Sequence, residues 1–208
     1  MTILREHTNQ KHREVEATPF VQYLLSGNIS KEHYVAFLYE FRTIYEVIER
    51  ENHRHGYLKG LEGIERASAI DKDLHELSES HFHGLMPSTI AYTDHILQLS
   101  KTKSKRHLLF AHVYVRHTGD LYGGKLIARL IPGTGRMYAF DDRPGLIKKI
   151  NERLTEDLAD EANLAFDYFI KIFNQLSYYI DLRFEEEKEG RKVEIGRASC
   201  RERVFGYV

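Results

Sequence analysis

The chain has 208 residues, 42% of them hydrophobic, and a formal net charge of -1, which suits one domain with a sizeable core. That balance excludes a nucleic-acid or anionic-membrane partner held by bulk charge, and no apolar run approaches the roughly 20 residues of a membrane span. No signal peptide is expected ahead of Thr2, and the single cysteine, Cys200, rules out a disulfide framework, a cysteine-held iron–sulfur cluster and a cysteine zinc site. Four prolines and few alternating β-branched runs leave an all-α chain with no internal repeat and no second domain.

Residues 2–16 read as a polar helix with Thr2 as N-cap. Leu4, Thr8, His12 and Glu16 recur at four-residue spacing on one stripe, so His12 can face inward beside Glu16. Thr18-Pro19 breaks this helix, and Phe20 to Leu25 forms a short second one closed by Gly27-Asn28. Ser30 then caps a long helix from Lys31 to about His53. Its stripe of Tyr34, Phe37, Leu38, Phe41, Tyr45 and Ile48 reads as core.

Gly56 to Gly63 is a loop and Ile64 to His81 a helix, on which Asp71, His75 and Glu79 share a face, with His83 just beyond. A di-iron site there would need Glu-x-x-His pairs on two helices; none is present, and the cluster reads as a solvated face. Pro87 opens a helix through Leu99, followed by the basic run Lys101, Lys103, Lys105, Arg106, a solvated segment or a docking patch.

His112 to Ile131 is a helix that carries Gly119, Gly123 and Gly124 in its middle, each costing about 1 kcal/mol against alanine. Asp120 sits among them, one turn from Arg116 and from Gly124. Bare backbone beside an acid suits a flat ligand; close helix–helix packing is the other reading of the same spacing. Pro132 to Pro144 is a loop long enough to be a flap. A helix from Leu146 to Arg153 carries Lys148, Lys149 and Arg153. The last helix, about Glu156 to Glu187, has a stripe of Phe166, Phe169, Ile170, Phe173 and Leu176. From Glu194 the string E-I-G-R-A-S-C-R-E-R-V has no apolar period and resembles a translated sequencing-adapter oligonucleotide. Residues 1–188 are therefore taken as the domain, and 189–208 as a non-native or disordered tail.

A carboxylate that fixes the tautomer of His12, bare backbone on the opposing helix and basic side chains at Arg5, Lys149 and Arg153 together fit an iron porphyrin. The runs L-R-E-H-T-N-Q-K-H-R-E-V-E and A-H-V-Y-V-R-H-T-G-D-L-Y-G-G resemble the two signature segments of haem oxygenases. The similarity extends over most of residues 2–187, including E-A-N-x-A-F at Glu161 to Phe166. The resemblance implies a single-domain bundle of about seven to eight helices, with haem b between a proximal helix and a kinked distal one.

By the same resemblance His12 is the iron ligand and Glu16 its partner, while Asp120 is the distal acid beside Gly119, Gly123 and Gly124. Tyr114, Arg116, Lys149 and Arg153 match pocket and propionate-side positions, and Phe166 a pocket wall. His112, which shares a face with Arg116, is the alternative ligand. The chain departs from the family pattern at His117, Thr118, Tyr122 and Lys125 in the distal motif, at Asn9 and at Phe169.

The implied activity is oxidative cleavage of haem, both cofactor and substrate, to biliverdin, carbon monoxide and iron, with O2 as co-substrate. Electrons come from ferredoxin or another external donor, since no flavin or iron–sulfur motif is present. The expected setting is cytoplasmic, without nucleic acid or membrane anchor, and a bilin reductase would take the product. The alternative class is a haem-binding or storage protein without turnover.

Overall fold

The computed structural model describes residues 3–77 and 84–204, with side chains described as far as Asp181. Eight α-helices and three short 3-10 turns follow one another, and no strand occurs among the described residues. The helices are α1 (Ile3–Glu16), α2 (Pro19–Leu25), α3 (Lys31–Arg54), α4 (Ala67–Leu77), α5 (Pro87–Lys101), α6 (Leu109–Ile127), α7 (Arg143–Asn151) and α8 (Ala159–Val204). Thr2, Glu79, His81 and His83 lie outside the described residues.

Helix α3 runs through the middle of the bundle, against α4, α5 and α6, while α8 packs on α1, α2, α5 and α6. The expected core stripe is there: Tyr34, Phe37, Leu38, Phe41, Tyr45 and Ile48 are all buried. Stacked rings tie α2, α3 and α8 together, with Phe20 on Phe37 and Phe173 at 5.7 Å each, and Phe41 on Phe173 at 5.6 Å. Each such ring removes some 150–250 Å² from water, so this column is a main apolar contribution to the fold. Ser30 caps α3 as expected, accepting the His33 amide at 3.2 Å.

Several boundaries move for local reasons. The basic run 103–108 is a 3-10 turn that leads into α6, so α6 starts at Leu109 rather than His112. Asp142 accepts the Gly145 amide at 2.9 Å, which starts α7 at Arg143, ahead of the expected Leu146. Helix α8 continues to Val204, past the expected end near Glu187, through a segment with no proline and many good helix formers.

The loop after α6 is fastened down rather than hinged as a flap. Asp73 of α4 accepts the amides of Arg136 and Met137, both at 2.8 Å, and Glu76 accepts the Thr134 amide at 3.0 Å. Arg66 holds the far side, donating to the Ala139 carbonyl and lying 3.9 Å over the Phe140 ring. Burial raises the Asp73 carboxyl above its ordinary value, while the two amides work the other way. Asp73→Ala is expected to lower unfolding free energy by about 2–3 kcal/mol in a denaturant titration, because the Met137 amide loses its acceptor in the core. An unchanged midpoint would show that the loop is held by other contacts.

Candidate functional site

Helix α6 stays a continuous α-helix through its three glycines. A Cβ at Gly119 would meet nothing within 4 Å, and one at Gly123, a turn further on, only Ile127 Cδ1 at 3.8 Å. A Cβ at Gly124 would instead lie 2.9 Å from the Tyr138 ring. The two readings of the glycine run therefore divide between residues. Gly119 and Gly123 leave bare backbone beside open space, while Gly124 is a close-packing glycine against the fastened loop. Gly124, roughly 100° around the helix from Gly123, has the Tyr138 ring on the side its Cβ would occupy.

Helix α1 supplies the partner face. Leu4 and Thr8 are buried, and Thr8 Oγ1 lies 3.4 Å from the Tyr114 hydroxyl of α6. One turn beyond, His12 emerges with 52% of its side chain exposed. Its Nδ1 stands 3.6 Å from Glu16 Oε2, and its ring meets Phe166 of α8 edge-on at 5.9 Å. At 3.6 Å the pair is too long for a hydrogen bond, so Glu16 stands beside the imidazole as a neighbouring charge.

Behind the glycine face lies a buried polar knot. Asp120 has no exposed surface; one carboxylate oxygen accepts the Tyr45 hydroxyl and the other the Arg116 guanidinium. Arg116 Nε closes the ring of contacts by donating to the Tyr45 hydroxyl at 2.6 Å. Burial raises Tyr45 far above a free phenol. For Arg116, burial is the largest influence and opposes the charge, but Asp120, Tyr45 and Tyr138 together outweigh it, and the guanidinium ends above its ordinary value. Asp120 therefore reaches the open glycine face only through its partners, of which Arg116 keeps 14% of its side chain exposed.

Further groups hold the knot in place. Arg143 of α7 donates to the Asp120 carbonyl at 2.9 Å and the Tyr138 carbonyl at 2.7 Å. Arg116 lies 5.0 Å from the Phe41 ring centre and 5.7 Å from Phe169. The fully buried His117 stands edge-on to Tyr45 at 5.0 Å, with Nε2 3.3 Å from Glu49 Oε1.

The remaining expected residues scatter. Arg5 is exposed near the start of α1, and Lys149 is exposed on α7. Arg153 donates to the carbonyls of Tyr57 at 2.9 Å and Lys59 at 2.7 Å, so its guanidinium holds the loop after α3 and is not brought to the glycine face. His112, the alternative ligand, is enclosed, with Nδ1 2.9 Å from the Tyr92 hydroxyl and Nε2 3.1 Å from Glu161 Oε1 of α8, so it is directed into the α5–α6–α8 packing. Tyr122, the bulky departure in the distal motif, is 65% exposed. In the sequence Tyr45 reads only as part of the core stripe, and nothing there singles out Arg143. A tyrosine inside a fully buried stripe needs a hydroxyl partner, and that was the available signal; Arg143 gave none.

The described chain is all-α, with bare glycine backbone on α6 and a half-exposed histidine on α1. The chain belongs to the haem oxygenase family, whose profile, described as Heme oxygenase, matches residues 1–141. Among curated relatives it is 29% identical to Heme oxygenase of Rhodella violacea, over 84% of this chain and 85% of the relative. It is 28% identical to Heme oxygenase 1 of Nostoc sp., over 83% and 84%. Among solved structures, the haem oxygenase of Leptospira interrogans shares the fold with a TM-score of 0.73 at 24% identity, over 84% of this chain and all of that one. Heme oxygenase-1 of Synechocystis sp., solved in complex with heme, has a TM-score of 0.73 at 23% identity, over 90% and 99%.

The division of the glycines can be measured. Gly119→Ala should stabilise the haem-free protein by about 0.5–1 kcal/mol through helix propensity, yet weaken haem binding in a Soret titration. Gly124→Ala should destabilise it by about 1–3 kcal/mol, because the new methyl group overlaps Tyr138. Equal effects of the two substitutions on stability would remove the distinction.

Proposed function

We propose that this haem oxygenase holds its substrate by His12 on one side and the Gly119–Gly123 backbone on the other, with the Tyr45–Asp120–Arg116 knot governing protons. The observation that carries this reading is the pair of open glycines directly beside a buried, fully partnered carboxylate. When bound, haem supplies the iron that handles O2 and the ring that is opened to biliverdin, carbon monoxide and iron.

The chain's own residues do the rest. His12 Nε2 is the iron ligand, and Glu16 stands as a neighbouring charge on the Nδ1 side. Phe166 stands against the His12 ring as a wall. Gly119 and Gly123 keep side chains out of the reacting space, and Tyr114 links α6 to α1 through Thr8. Arg116, partly exposed, passes the influence of Asp120 to an ordered water at the glycine face, where a proton is held for the reaction. Arg5 and Lys149 are the exposed cations assigned to the propionates, whereas Arg153 serves the loop.

Electrons come from an external one-electron donor of the ferredoxin class. Exposed Lys101, Lys103 and Lys105, on and just after α5, are assigned to its docking. Among the described residues no helix is long and apolar enough to cross a membrane. The setting assigned is cytoplasmic, with a bilin reductase as downstream consumer. Residues 1–188 are taken as the working unit, with no role given to 189–208.

Two measurements test this. His12→Ala should lose the axial bond and regain a six-coordinate spectrum with added imidazole. Asp120→Asn should keep haem affinity while biliverdin formation falls by about 100-fold or more. Normal biliverdin yield from Asp120→Asn would overturn the role of the knot. A persistent Soret band in the wild type under a full electron supply would favour the storage reading.

Donor docking has its own check. Turnover should slow as ionic strength rises, through a lower encounter rate with unchanged haem affinity. Salt-independent turnover would remove the lysines from that role.

A further inference from the structure

A second polar cluster joins three helices on α6, away from the groups given work above. His95 of α5, His112 of α6 and Glu161 of α8 bring one ligand-capable atom each within 4.8 Å of one another. His95 Nε2 lies 2.6 Å and His112 Nε2 3.1 Å from the same atom, Glu161 Oε1. His112 and Glu161 are buried, while His95 keeps 23% of its side chain exposed at the rim.

His112 Nε2 is the informative atom. It is enclosed and makes no hydrogen bond, although the Glu161 oxygen is close, so the ring is not aligned to donate to it. Its other nitrogen, Nδ1, already has the Tyr92 hydroxyl at 2.9 Å. With Nδ1–H donating to Tyr92, the lone pair of Nε2 faces a carboxylate, an arrangement relieved by a metal ion or a proton between them. A ring whose remote N–H is held by a buried partner is also the usual condition of a metal-ligating histidine.

Spacing agrees with a shared ion. Metal–ligand bonds of about 2.0–2.1 Å place neighbouring ligand atoms about 3 Å apart. The His112 pair has that separation, and the His95 pair needs to open by only a few tenths of an ångström, on a side chain that reaches solvent. Two imidazoles and one carboxylate favour a borderline first-row ion over calcium or magnesium, which take oxygen ligands.

We propose that His95, His112 and Glu161 form a binding site for one divalent first-row transition cation of the Zn²⁺ or Fe²⁺ class, with its remaining coordination positions on the His95 side. The ion pins α5 and α8 to α6 two turns before Gly119. The site does not depend on the haem chemistry proposed above.

The test uses metal-free full-length protein titrated with Zn²⁺ against a chromophoric chelator, and with Co²⁺ followed by its visible d–d bands. Wild type should take up one tight equivalent and melt at a higher temperature with Zn²⁺. His95→Gln should weaken that equivalent by about 100-fold or more and abolish the thermal shift, with an unchanged circular dichroism spectrum. Glu161→Gln should do the same if it folds; if it does not, His95→Gln decides alone. His75→Gln, which alters a separate surface cluster with Asp71 and Glu76, should leave the tight equivalent intact. No saturable equivalent in the wild type, or equal binding by wild type and His95→Gln, would overturn the proposal.

Discussion

The structure depends on keeping a carboxylate buried in the middle of a glycine-rich helix. An isolated Asp120 at that depth would carry a desolvation cost of several kcal/mol, so its neighbours are constrained to supply donors. Tyr45 and Arg116 do so, and Arg143 adds the main-chain carbonyl of the same residue. These partners come from α3, α6 itself and α7, so the acid also fixes how those helices stand to one another. Losing any one donor leaves the others facing an incompletely satisfied group, which is why the knot is buried as a unit.

The same helix solves two opposed packing problems with one residue type. At Gly124 the missing side chain lets Tyr138 close on the backbone, and Tyr138 is carried by a loop that Asp73 holds through two amides. At Gly119 and Gly123 the missing side chain keeps space open. The helix thus has a supported back and a bare front, and the propensity cost of three glycines is offset differently on each side. On α1 the division is similar: Leu4 and Thr8 are anchored, while His12 projects beyond them.

Much of this was legible from the amino-acid order. Helical spacing at Tyr34 through Ile48 placed the core stripe, and Ser30 and the glycines around Gly56 to Gly63 marked where α3 could begin and end. His12, Glu16 and Asp120 could be singled out as candidates from spacing and family likeness because their neighbours lie one turn away on the same helix. Contacts made between distant segments were not legible. Arg153 and Arg143 look alike as exposed-type cations near α7, yet one holds the loop after α3 and the other the back of Asp120. The loop from Pro132 to Pro144 looked free because its anchors, Asp73, Glu76 and Arg66, are some 60 to 70 residues earlier. Tyr45 carried a periodic apolar signal that concealed its hydroxyl.

The most direct test of the account is the rate of biliverdin formation in Tyr45→Phe across pH, at saturating haem and a fixed electron supply. The substitution keeps the ring in the core and removes only the hydroxyl that links Asp120 to Arg116. The account predicts normal haem affinity, an intact fold, and a rate lowered by about tenfold or more with an altered pH profile. A wild-type rate and profile would contradict the claim that the buried knot governs the chemistry.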